Sequence, residues 1–443
     1  MTLPADVVGW VEEVAGGPVQ RCDRAPGGAR REAWLVDVGD QQLFLRHDPA
    51  DVDDARDPWT LPREAAVYQA LWGSAVPVPR VVGVHPTRQA MLAERVAGST
   101  WFSAITDADE QLATARDFIG HLAALHRIDP ASLDLPGFPK PGSVRDAIGL
   151  QLDELDAVVE ARGGVPDVGL ALTLQWLRSN VPDHDGPVVL VQGDTGPGNF
   201  LYEGGRVTAV LDWELAHLGD PMDDIAWLSL RAAQEPFTHL PDRLREYEVL
   251  SGIEVDDDLV WYHRVLAEAK LLVMAHGAAS SGDLGNRLIY GVLHRRLWLE
   301  AMVHVLGLDP VMPDLAPAVD AAEHLALYGE VLALLRDVVV PAIHEPMAKA
   351  QAKGIARSVK YLAAVSAHGA RFEDDELVDA AGLLGASPAS VAEARAAIDD
   401  AVRAGRLTTE QYVVHRWRRV QRENELARSA SGALADRHWP ELR

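Results

Sequence analysis

The strongest constraint on this chain lies near its middle. Val188 to Val191 is a short apolar run with strand character, followed by the loop Gln192-Gly-Asp194-Thr-Gly-Pro-Gly-Asn199. Next come the strand-like run Phe200 to Tyr202, a Gly204-Gly205 turn and a second run, Val207 to Leu211. That run ends at Asp212-Trp-Glu214. Two short runs around paired glycines read as a hairpin. The hairpin brings Asn199 and Asp212 to one side, with Glu214 one strand period further on. Carboxylates that leave buried strands line a site, whereas the same residues on a solvated helix face would carry little meaning.

The first 100 residues read as mixed α/β. Glu32 to Val38 and Gln42 to Arg46 are strands joined at Gly39-Asp40. Pro26 to Arg30 ahead of them is Gly-rich, and it suits a plain hairpin turn or a nucleotide lid. Arg63 to Trp72 reads as a helix opened near Pro62 and closed at Gly73. Val76 to Val82 and Ala90 to Val96 are expected as further strands. Helices are expected at about 108–130 and Leu170 to Leu177, and the chain reads as helical almost throughout after Pro221. Gly307 to Pro317 contains three prolines and reads as a linker. Beyond it, helices are expected at Ala321 to Val340, at 355–367, from a cap at Ser387-Pro388 to Gly405, and at Thr408 to Ala430.

The composition is that of a globular protein, 48% hydrophobic and 24% charged over 443 residues. The net charge of −25 repels phosphate backbones, so nucleic acid is not an expected partner. One cysteine, Cys22, excludes an intrachain disulfide and a Cys-ligated zinc site. No signal peptide is visible, and the apolar runs fall short of a membrane span. A soluble cytoplasmic protein is the expectation. Lysine is scarce: Lys140, Lys270, Lys349, Lys353 and Lys360 are the five, against 36 arginines, and none precedes residue 140.

Asp194, Asn199 and Asp212 form an oxygen-only set. It suits magnesium, which takes one or two protein carboxylates and leaves other positions to water and phosphate. A carboxylate five residues before an asparagine also matches phosphoryl transfer, in which an Asp accepts the attacking hydroxyl's proton and an Asn and a later Asp meet the metal.

Asp194-x4-Asn199, with Asp212 thirteen residues later, resembles the catalytic and metal loops of the aminoglycoside phosphotransferase-like kinases. The longer string Val210-Leu-Asp-Trp-Glu-Leu-Ala-His-Leu-Gly-Asp-Pro221 is similar to the branch that includes kinase domains attached to acyl-CoA dehydrogenases. The resemblance reaches back through Leu122 to His126 and Glu94 to Gly98 as far as Phe44-Leu-Arg46, and forward to about residue 305.

The resemblance implies an α+β, protein-kinase-like bilobal fold with a small antiparallel-sheet N-lobe at 1–97 and a mostly helical C-lobe at 98–310. An all-helical C-terminal domain at 318–443 lies outside it. It further implies ATP and Mg as cofactors, Asp194 as catalytic base, Asn199 and Asp212 as metal ligands, and a second-metal contact for Glu214 as in choline-kinase-like relatives. Glu94 to Val96 matches the hinge that meets adenine. Asp224 matches a brace of the catalytic loop. The expected reaction is phosphorylation of a small-molecule hydroxyl, with hydroxyacyl-CoA, another hydroxy metabolite or an aminoglycoside left open as acceptor.

Two departures stand out. Gln192 occupies the place of a structural histidine, where it can also hydrogen-bond. The strand lysine that holds nucleotide phosphates is absent, so Arg46, paired with Glu64, is the candidate for that task. These departures motivate the alternative, a catalytically weak nucleotide-binding module acting through the helical C-terminal domain. That domain is a candidate for dimerisation, for binding a partner enzyme or for capping the substrate cleft. Asp220 and Asp223 read as a helix cap and a first-turn acid, His126 as a core histidine, and His415 to Arg419 as a solvated, salt-bridged helix face.

Overall fold

The computed structural model describes residues 3–25, 31–49, 58–276, 284–316 and 322–443. The Pro26 to Arg30 segment lies outside them. Two compact units emerge: residues 1–164, 178–267 and 440–443 form the first, and 165–177 with 268–439 form the second.

The first unit begins with α1 (Ala5–Ala15), β1 (Val19–Arg24), β2 (Glu32–Val38), β3 (Gln41–His47), α2 (Leu61–Leu71), β4 (Val81–Val84) and β5 (Ala90–Glu94). The strands form one antiparallel sheet in the order β1-β2-β3-β5-β4. Strand periodicity decides what each face carries. On β3, Leu43 and Leu45 are buried with Trp34, Val36 and Leu92 against Val7, Trp10 and Val11 of α1. Arg46, out of phase with them, therefore belongs to the other face. The expected strand from Val76 begins only at Val81. Pro77 and Pro79 have no N–H to give a ladder, and the Pro77 carbonyl instead accepts from Val210 N at 2.8 Å.

The rest of this unit is largely helical. It contains α3 (Ala108–His126), α4 (Val144–Arg162), the end of α5 (Val168–Ser179), α6 (Pro221–Gln234), α7 (Leu240–Ser251) and the first half of α8 (Asp257–Ala275). Between α5 and α6 lie β6 (Val189–Val191), β7 (Phe200–Glu203), β8 (Arg206–Val210) and β9 (His217–Gly219). β7 and β8 make the expected hairpin, and β6 pairs with β9, a strand absent from the sequence reading. Leu61, Tyr68 and Leu71 of α2 share a continuous core with Phe118, Phe200, Trp213, Ile225 and Tyr247. This core fixes the hairpin beneath the sheet.

The second unit comprises the start of α5, the second half of α8, α9 (Leu284–Val305), α10 (Ala322–Leu334), a π-helical turn (Leu335–Val339), α11 (Val340–Ala342), α12 (Pro346–Leu384), α13 (Val391–Arg403) and α14 (Thr409–Ser431). The division falls between Ala267 and Glu268, ahead of the proline-rich segment at 307–317. The reason is that α9 packs against α12 and α14, a pairing that helical periodicity alone does not display. The expected helix at 355–367 is part of a continuous one from 346 to 384. The cap of α13 is Ser390, which accepts from Glu393 N, rather than Ser387. Thr408 and Gln411 form a reciprocal capping box on α14. The expected solvated face is not exposed: His415 and Trp417 are buried, Arg418 and Arg422 share Asp379, and Arg419 pairs with Glu423. Among the described residues no helix is long and apolar enough to cross a membrane.

Candidate active site

The loop from Gln192 to Asn199 leaves β6 and enters β7. Its first residues are pinned by one buried carboxylate. Asp224, on the first turn of α6, accepts Gly193 N at 2.9 Å and the Thr195 hydroxyl through Oδ1. Its Oδ2 accepts Gln192 N at 2.9 Å and His126 Nε2 at 3.0 Å. The Asp224 oxygen accepts, so His126 Nε2 is the donor in that bond, and His126 Nδ1 hydrogen-bonds the Tyr247 hydroxyl at 2.6 Å. His126 is a buried histidine, as its apolar surroundings suggested, and one of its neighbours is the loop's anchor. Gly193 turns the chain with φ +83°, and a Cβ there would lie 2.5 Å from the Leu215 carbonyl oxygen, so only glycine fits.

Gln192 ties this loop to the end of β8. Its Nε2 donates to the Leu211 carbonyl at 2.7 Å and the Asp212 carbonyl at 3.1 Å. The hairpin brings Asn199 and Asp212 together as its register demands: Phe200 pairs with Val210, and Leu211 N donates to the Asn199 carbonyl at 2.8 Å. Asn199 Nδ2 donates to the Asp194 carboxylate at 2.7 Å. Asp212 is the one non-glycine residue with positive φ, 60°, among the described residues. Aspartate tolerates that conformation better than most residues, and Tyr68 Oη accepts the Asp212 N–H at 3.1 Å.

Arg46 and Glu64 meet here. Glu64, fully buried on α2, accepts from Arg46 Nη1, and the same nitrogen lies 3.1 Å from Asp212 Oδ1. Tyr68 lies one helical turn after Glu64 and so shares its face. A second arginine, not anticipated from the sequence, completes the network. Arg31 Nη1 lies 2.9 Å from Glu64 Oε2 and 2.9 Å from Glu214 Oε2. Arg46 Nη2 is 3.8 Å from Glu214. Arg31 directly precedes β2, and no spacing signal marked it.

Three carboxylates thus share two guanidinium groups. Burial pushes the Asp212 carboxyl up, but Arg46 chiefly, with Arg231 and Arg31, outweighs it and holds Asp212 below the ordinary carboxylate range. Burial and then the Asp212 charge push Glu214 up to about 7. Burial also raises Asp194, against the pull of Arg231. Arg231 is the second residue that sequence reasoning missed. Its Nε donates to Asp194 Oδ1 at 2.7 Å and its Nη2 to Oδ2.

Asp220 caps α6 by accepting Met222 N at 2.9 Å, and it also pairs with His184 and His263. Asp223 in the first turn meets His217 at 3.1 Å. Glu94 ends β5, where its carboxylate binds Arg80, and half-buried Val96 follows where the chain leaves the sheet.

Among the described residues no group of three or more His, Cys, Asp or Glu side chains is arranged to hold a metal. The set that fits one is smaller. Asp212 and Glu214 carry a surplus negative charge, and the hairpin register puts Asn199, which has an amide oxygen to offer, at the end of β7 nearest Asp212. This donor chemistry suits magnesium, which needs few protein ligands.

A sheet above a helical body, a braced Asp–Asn loop and a strand-end Asp joined to a sheet cation define a phosphotransferase of protein-kinase-like fold. The chain belongs to the phosphotransferase enzyme family, whose model matches residues 21–255, just over half of its length. Similar proteins include human acyl-CoA dehydrogenase family member 11, 28% identical over 180 residues, which cover 38% of this chain and 22% of that protein. The chicken member 11 is 35% identical over 109 residues, 24% of this chain and 14% of that protein. The mouse family member 10 is 27% identical over 217 residues, 46% of this chain and 20% of that protein. The matches therefore span only about a quarter or less of those relatives' own length. Among solved structures, macrolide 2′-phosphotransferase MphH of Brachybacterium faecium is similar at 19% identity, with a TM-score of 0.45, covering 62% of this chain and 94% of that one. The streptomycin–ATP ternary complex of APH(2″)-IIa is similar at 16% identity, with a TM-score of 0.46, covering 62% of this chain and 91% of that one.

Proposed function

We propose that this protein transfers the terminal phosphoryl group of ATP to a hydroxyl of a small molecule, with magnesium. The observation that carries the reading is the convergence of Asp194, Asn199 and Asp212 on one braced loop and hairpin. Asp194 is the proposed base: it orients the acceptor hydroxyl and takes its proton as oxygen attacks phosphorus. Arg46, fixed by Glu64, faces the nucleotide phosphates. The backbone from Glu94 to Val96 meets adenine. Asn199, Asp212 and Glu214 would hold magnesium, which neutralises charge on the phosphates when bound.

The likeness to the acyl-CoA dehydrogenase family members favours a hydroxyacyl-CoA or related hydroxy metabolite as acceptor. An aminoglycoside is the second class, supported by the family resemblance. The proposed setting is the cytoplasm, consistent with the free thiol of Cys22. A phosphotransfer screen with Mg-ATP against hydroxyacyl-CoA, aminoglycoside and amino-alcohol panels tests the reading. Turnover on one panel, lost in Asp194→Asn while ATP still binds, is the expected result. ATP binding without turnover on any panel would favour the weak binding module instead.

A further inference from the structure

Arg231 stands outside every motif of the sequence, yet it makes the most complete contact to the proposed base. The two-point pairing of its Nε and Nη2 with both Asp194 oxygens is a fork-on-carboxylate geometry that fixes the carboxylate's plane as well as its position. Asn199 Nδ2 adds a third hydrogen bond, to Oδ2 at 2.7 Å. The scaffold behind this contact is rigid. Arg231 lies seven residues after Asp224 on α6, two turns along and on the same face. One helix face therefore holds the loop backbone with Asp224 and the Asp194 side chain with Arg231.

The loop is shaped around the arginine. Gly196 has φ +136°, and a Cβ there would lie 2.7 Å from Arg231 Cβ and 3.4 Å from Leu228 Cδ1. Gly198 has φ +94°, with its Cβ position 3.7 Å from Arg231 Nη1. Glycine at 196 is thus the condition for Arg231 to reach Asp194.

We infer that Arg231 is a positioning residue of the phosphotransfer reaction, holding the Asp194 carboxylate in the orientation that accepts the acceptor's proton. The inference rests on Asp194 being the base. Oδ2 is filled by Arg231 and Asn199, whereas Oδ1 accepts from Arg231 alone and keeps a lone pair for the acceptor hydroxyl. The fork therefore sets which oxygen meets the acceptor.

The test compares wild type, Arg231→Met, Arg231→Lys, Gly196→Ala and Asp194→Asn in full-length protein. Mg-ATP is the probe, with water as acceptor, and kcat and KM are followed separately. In Arg231→Met kcat should fall at least ten-fold, with KM for ATP within two-fold of wild type. Arg231→Lys, which keeps the charge but not the fork, should recover only part of kcat. Gly196→Ala should lower kcat in the same way, with KM for ATP unchanged. Wild-type kcat in Arg231→Met or Arg231→Lys, with Asp194→Asn inactive, overturns the inference alone. Full turnover by Asp194→Asn overturns the assignment of the base, and the inference with it. If Arg231→Met fails to fold, Arg231→Lys decides by the same criterion.

Discussion

Replacing Asp224 by asparagine tests how the catalytic loop is built. The shape is kept, but one acceptor oxygen becomes an NH2 group with two donors. In the native protein Oδ1 serves Gly193 N–H and the Thr195 hydroxyl, and Oδ2 serves Gln192 N–H and His126. If nitrogen replaces Oδ1, the Thr195 hydroxyl can rotate and accept, but Gly193 N–H cannot. If it replaces Oδ2, His126 can change tautomer and accept, but Gln192 N–H cannot. Either way one buried peptide donor is orphaned, at about 1–3 kcal/mol. The surviving bonds lose their charge assistance, roughly 1 kcal/mol each. The expected loss is therefore about 3–5 kcal/mol, the range for breaking a buried charged pair. Urea denaturation followed by tryptophan fluorescence measures it, with phosphotransfer measured alongside. Tyr247→Phe removes only the outermost bond and should cost about 1 kcal/mol. An Asp224→Asn protein within 1 kcal/mol of wild type would show that the loop does not depend on this carboxylate's charge.

Two more outcomes follow from buried charge. Arg46→Met leaves Glu64 with Arg31 as its remaining basic partner among these contacts, and Asp212 without its nearest one. Stability should fall by about 3–5 kcal/mol and ATP affinity, read by calorimetry, at least ten-fold; unchanged values for both would make Arg46 a mere strand-end arginine. In the second unit, burial pushes His415 down to about 4 from an ordinary value of 6.5. The unfolded chain takes up the proton first as pH falls, so this residue's contribution is present above pH 6.5 and lost towards pH 4. The loss totals about 3 kcal/mol at most. His415→Gln should flatten the stability profile over that window, and an unaltered slope would rule this origin out.

The elements that were legible share one property: their signal is local. The β2–β3 hairpin shows its Gly39 turn and β7–β8 its paired glycines. The pairing of Asn199 with Asp212 was legible because hairpin register follows from the turn between two short strands. Arg231 and Arg31 were not. Each lies far along the chain from the carboxylate it meets, Arg231 37 residues from Asp194 and Arg31 33 from Glu64. Nothing about an arginine late in an apolar helix, or one just after a Gly-rich stretch of sequence, distinguishes a site residue from a surface one. Gly196 held the available clue, but a glycine forced by a neighbour's side chain looks in sequence like a glycine forced by a turn. β9 and the α9 packing were hidden for a related reason, since a three-residue strand and a helix without a marked apolar stripe acquire their identity from partners.

The absence of lysine before residue 140 takes on a physical meaning in this network. Glu64, Asp212 and Glu214 surround one corner of the site, and two cations serve all three. Arg46 reaches Glu64 and Asp212 through one nitrogen and approaches Glu214 with the other. Arg31 spans Glu64 and Glu214. A lysine ammonium is a compact, strongly hydrated charge that gives up water reluctantly, whereas a guanidinium is weakly hydrated, planar and able to bridge acceptors along two edges. With Arg31 buried and Arg46 half-buried among carboxylates, the arginine fork suits this corner better than lysine would. The remaining surplus of one negative charge bears on Glu214, whose carboxyl is pushed up to about 7 by burial and the Asp212 charge. That surplus is what a divalent cation at Asp212 and Glu214 would remove. The arginines and the metal would then be two parts of one charge balance.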